Sequence, residues 1–141
     1  MQSVRHNPLA IAVATLLYFM LGGVWFTVFK SAWLLGVGRT VEELMATGIS
    51  PILTYGIAIL TTLILAIFLS WIIQATGPQT LTRGITVAIA TWFGVVFSTW
   101  ATEYAFEARS IQIFVINTGY CLVGMIIMGA VLGAWKKKGA F

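Results

Sequence analysis

Four uninterrupted apolar runs, at 8–29, 51–75, 82–104 and 111–135, constrain this chain more than any other feature. Each is long enough, at about 1.5 Å of rise per residue, to cross a hydrocarbon core of about 30 Å as a helix. Inside lipid every backbone N–H and C=O must be satisfied within the segment, which helices do. Barrel strands would be about ten residues long with strict alternation, and none of the runs alternates. The expected fold is an all-α membrane protein, a bundle of four transmembrane helices forming a single domain over residues 1–141.

The boundaries carry start and stop signals. Asn7-Pro8 is a helix N-cap followed by proline at the first helical position, where a missing N–H costs nothing, and Ser50-Pro51 repeats the pattern. Gly77-Pro78 ends the second run, Thr80 or Thr82 can cap the third, and Ser110 can cap the fourth, which Lys136-Lys137-Lys138 terminates. The first run is too long for a signal-peptide core and lacks a small-x-small cleavage site before Lys30, so it reads as a retained helix. In the longest connection, Thr40-Val41-Glu42-Glu43 fits a capping box and predicts a short helix through Ala46, stopped by Gly48. Trp33, Leu34 and Leu35 before it suit an interfacial segment in the first outer loop.

Orientation follows from Lys and Arg. Arg5, Arg83 and the triple lysine share one side, against Lys30, Arg39 and Arg109 on the other, together with Glu42, Glu43, Glu103 and Glu107. Basic residues favour the cytoplasm, so the expected location is the cytoplasmic membrane with both termini inside. The net charge of +4 is spread over the connections rather than gathered on a face, so no nucleic-acid partner is expected. Cys121 and His6 are the lone cysteine and histidine, which excludes an intramolecular disulfide and paired-imidazole haem ligation; no metal or other cofactor is expected.

No Asp, Glu, Lys, Arg or His lies near the centre of a run, where coupled transporters and pumps place ionisable groups. Small multidrug exporters have a glutamate in the first helix, where this chain has Tyr18, Met20 and Leu21. Polar chemistry is left to the outer ends. Glu103 and Glu107 are four apart, and Arg109, Lys30 or Arg39 could supply their counter-charge. With Asn117 in the fourth run, these form a candidate polar site at the outer mouth, ringed by Trp25, Trp33 and Trp100. The same residues also suit a salt-bridge network tying the loops together. Asn117 needs a partner in lipid, for which Thr91, Ser98, Thr99, Thr62, Ser70 and Gln74 are candidates.

Gly124, Gly129 and Gly133 make a small-residue face on the fourth run, open to another helix of the chain or to a second copy in a homo-oligomer. A weak internal echo, Gly23-Val24-Trp25-Phe26-Thr27 against Gly94-Val95-Val96-Phe97-Ser98, raises a duplicated hairpin.

Several motifs together resemble a known family: Trp25-Phe26, Phe29 and Trp33 before Gly36 or Gly38 and Glu42-Glu43; Trp92-Phe93-Gly94; Phe106-Glu107-Ala108-Arg109-Ser110; and Asn117-Thr118-Gly119-Tyr120 with Met128-Gly129-Ala130-Val131-Leu132 and Trp135. The chain resembles the bacterial and fungal membrane family catalogued as domain of unknown function 1761, departing from it at Val95. The resemblance implies the fold and brings no activity. The expected function is a non-enzymatic packing or binding protein in the lipid bilayer, the alternative a transporter or channel for a small neutral or lipophilic solute. An enzyme using Glu103 or Glu107 as base lacks any accompanying nucleophile, metal set or cofactor motif.

Overall fold

The computed structural model describes residues 3–139. The helices are α1 (Pro8–Val28), α2 (Lys30–Val37), α3 (Val41–Met45), α4 (Pro51–Ala75), α5 (Leu81–Thr91), a π-helical segment (Trp92–Phe97), α6 (Ser98–Phe106) and α7 (Ile111–Ala134), with no strand among the described residues. Four helices are long and apolar enough to cross a membrane: α1, α4, the continuous Leu81–Phe106 stretch, and α7. The fold is all-α, with a short capped helix in the first long connection.

Local chemistry explains most of the ends. The Asn7 side chain accepts from the amides of Leu9 and Ala10, Thr80 accepts from Arg83, and Ser110 accepts from Gln112. Thr40 and Glu43 make the reciprocal capping box that starts α3. Ser50 departs from expectation. Its side chain caps nothing, and its carbonyl instead accepts from the Thr54 hydroxyl at 3.2 Å. The stretch around Trp33, expected as an interfacial segment with no helix assigned to it, forms α2, and only Phe29, with φ −95° and ψ 14°, separates it from α1. Gly38, at φ 71°, then ends α2 in the left-handed region.

Helix α7 is the centre of the bundle, packed by α1, α2, α4 and α5. Against α1 the fit is aromatic ring on glycine. Tyr18 fills the space beside Gly124, Tyr120 covers Gly22, and Trp25 covers Gly119, each leaving little or no room for a methyl group. Against α5 it is backbone on backbone. A Cβ on Gly84 would strike the Gly129 carbonyl, and one on Gly133 the Thr80 carbonyl. Small residues permit that approach, which is where helix association in lipid gains its van der Waals contact. The Gly129/Gly133 face is thus covered by a helix of the same chain.

The π segment interrupts what reads in sequence as one uniform helix. Gly84, Ala88 and Trp92 face α7 at four-residue steps, and Phe97, five residues beyond Trp92, meets Phe114 of α7 edge-on. A turn widened to i→i+5 bonding sets residues five apart on one side. The Trp92 indole then donates to the Thr118 carbonyl at 2.9 Å, while Trp25 donates to Ile116 from the other side at 3.0 Å.

The buried core, including Ala10, Ala14, Ala66, Leu69, Ile73, Met125, Met128 and Leu132, lies towards the end carrying the termini. There Asn7 donates to the Trp135 carbonyl and Gln79 to that of Leu132. At the opposite, loop end, the first turns of α4 stand exposed, with Ile52 85% accessible.

The two echo motifs share one local bond. Thr27 donates to the Gly23 carbonyl at 2.6 Å and Ser98 to that of Gly94 at 2.7 Å.

Candidate functional site

The loop end is shaped by how α6 stops. The Ala108 amide donates to Ala105 and the Arg109 amide to Tyr104 at 3.0 Å, a Schellman closure that normally uses glycine. Here Ala108 takes the left-handed conformation at φ 51°, at a cost of roughly 1–2 kcal/mol. The chain reverses at once into Ser110 and α7. Glu107 and Arg109, flanking the strained residue, face each other at 3.4 Å from Nε to Oε2 and are both about half exposed.

Arg109 also folds back over Tyr104, its guanidinium carbon 4.5 Å from the ring centroid. Tyr104 is buried, stacked on Trp100 and edge-on to Phe114, and its hydroxyl accepts from the Asn117 amide at 3.0 Å. A connected row therefore runs from Asn117 inside the bundle through Tyr104 to Arg109 and Glu107 at its rim.

The facing wall comes from α2 and α3. Gly36 lies against Ile113 so closely that a side chain there would overlap it, seating the end of α2 on the start of α7. Between the walls is an open cleft of about 480 Å³, lined by Gly36, Val37, Arg39 and Leu44 on one side and by Glu107, Ala108, Arg109, Ser110 and Ile113 on the other. Its charged groups are Arg39, Arg109 and Glu107. Among the described residues Arg39 makes no ion pair, and no three His, Cys, Asp or Glu side chains converge as metal ligands would.

Of the residues singled out in sequence, Glu107 and Arg109 come together in the cleft. Asn117 joins them only through Tyr104 and does not line it. Glu103 and Lys30 are exposed, outside the lining, and unpaired among the described residues. Glu107 caps the end of α6, so the shared-face pairing with Glu103 gives way to pairing with Arg109. The expected partners of Asn117 do not serve it, because Thr62, Ser98 and Thr99 all bond back to carbonyls of their own helices. Tyr104 and Arg39 carry more of the site than their sequence context indicates. Tyr104 lies two residues before the end of α6 and Asn117 six beyond the start of α7, so their steps from the turn are unequal and hairpin register alone does not indicate the pair. Among the tryptophans, Trp100 stacks on Tyr104, Trp25 binds Ile116, and Trp33 packs on Phe26.

The family described as protein of unknown function (DUF1761) matches residues 9–133, and the chain belongs to that family. No curated protein and no solved structure matches it.

Proposed function

We propose that this DUF1761 protein is a non-enzymatic binding protein of the cytoplasmic membrane that holds its ligand in the loop-end cleft. The observation that carries it is the cleft itself, in which Arg39, Arg109 and Glu107 line about 480 Å³ of open space. The helix-to-helix bonds of the bundle are structural, whereas the cleft charges are only partly spent on one another. Both termini lie in the cytoplasm, following the concentration of Lys and Arg at that end, and the cleft opens on the opposite face.

Native mass spectrometry of protein extracted in mild detergent tests this. Wild-type protein carries a bound small molecule, and the Arg39→Ala/Arg109→Ala double variant, folded by circular dichroism, loses it. Identical spectra for the two proteins would remove the cleft as a binding site.

A further inference from the structure

We infer that the loop-end cleft receives the phosphate of an anionic phospholipid headgroup; this rests on the cleft being a binding site, and adds what it binds.

The charges specify the sign of the ligand. Arg39 stands on the α2–α3 wall and Arg109 on the opposite wall, with Glu107 as the single carboxylate of the lining. The balance is positive. Arg109 is already oriented, since Tyr104 supports its plane and Glu107 meets its Nε, so its guanidinium loses little freedom when it binds. Arg39 has no counter-ion among the described residues and supplies the second contact from across the gap. Arginines in the lining of both walls suit the tetrahedral oxygens of a phosphate, which can accept charge-assisted hydrogen bonds from both. The α7 helix starts in the same lining at Ser110, adding the positive end of its dipole.

The surroundings specify an amphiphile rather than a free ion. Phe106 and Ile111 bracket the charged turn and are 89% and 79% accessible, and Leu35, next to Gly36 of the opposite wall, is 76% accessible. Apolar side chains so exposed beside a charged cleft fit a ligand whose head is ionic and whose tails are hydrocarbon. The strained Ala108 backbone holds Arg109 at the cleft, where it also meets Tyr104.

The test uses the full chain in phosphatidylcholine nanodiscs, with tryptophan fluorescence following added short-chain phosphatidylglycerol, the matching diacylglycerol, and inorganic phosphate. Phosphatidylglycerol binds saturably and diacylglycerol does not compete. Arg39→Gln, at a side chain that makes no ion pair among the described residues, weakens binding about tenfold or more, as loss of a charge-assisted bond requires. Glu107→Gln keeps an amide oxygen for the Arg109 Nε while removing the competing negative charge, and so binds at least as tightly as wild type. Equal binding of diacylglycerol, or full affinity in Arg39→Gln, overturns the assignment. Inorganic phosphate competing as well as the lipid overturns the lipid as its source. If native mass spectrometry finds an arginine-dependent ligand while phosphatidylglycerol fails to bind, the ligand class is wrong and the site stands; if neither is seen, both fall.

Discussion

The Asn117 amide donates to the Tyr104 hydroxyl at 3.0 Å, and this bond fastens the last turns of α6 to the first turns of α7 beneath the charged rim. In lipid, bonds of this kind contribute about 0.6 kcal/mol on average and up to about 1.7. Tyr104→Phe and Asn117→Leu should each lower stability by about 0.5–2 kcal/mol. The two losses should also fail to add, because either removes the same bond. A double-mutant cycle in mixed micelles measures this. Strict additivity would show that the bond contributes nothing.

The glycines of the bundle separate into two kinds. Gly84 touches the Gly129 backbone, whereas a Cβ on Gly56 would meet nothing. Gly84→Ala should therefore cost about 1–3 kcal/mol or more, as overpacking does where neither backbone can yield. Gly56→Ala should instead stabilise α4 by about 0.5–1 kcal/mol through helix propensity. Unfolding titrations of the two variants should move in opposite directions. A Gly84→Ala protein as stable as wild type would contradict the close crossing of α5 and α7.

Ala108 holds a left-handed conformation at φ 51°. Ala108→Gly should relieve that strain and stabilise the protein by about 0.5–1 kcal/mol net of the greater freedom of the unfolded chain. Thermal unfolding in detergent would report it as a higher midpoint; an unchanged or lower midpoint would mean the closure is not under strain.

Gln79 is buried, and its side-chain amide donates to the Leu132 carbonyl at 2.6 Å, satisfying a terminal group of α7. Gln79→Ala leaves that carbonyl without its side-chain donor and opens a void, which should cost about 1–3 kcal/mol. Hydrogen exchange at the last turn of α7 should rise in the variant. Unaltered protection there would show that Gln79 is not holding the helix end.

Much of this architecture could be read from single residues, because in a membrane the length of each apolar run is itself a structural statement. Asn7-Pro8, Thr40-x-x-Glu43 and Ser110 mark helix starts through bonds formed within four residues, so their signal is local. Helix α2 was less legible, since only the backbone angles of Phe29 separate it from α1. The π turn was hidden for a different reason: it sets Trp92 against Thr118 and Phe97 against Phe114, and that five-residue step is a demand of the partner helix. At the cleft, Glu107 and Arg109 were visible as a charged turn. Arg39 joins them only because Gly36 lets α2 sit on Ile113, a contact between residues far apart in sequence.

Central to the proposed function is a bundle that crosses the membrane with its cleft on the face opposite the termini. A membrane-impermeant maleimide tests this in right-side-out vesicles, on a Cys121→Ala background with a single new cysteine at Thr47 or at Lys137. Thr47→Cys should label before lysis and Lys137→Cys only after it. Labelling of Lys137→Cys in intact vesicles, with or without Thr47→Cys, would contradict the account.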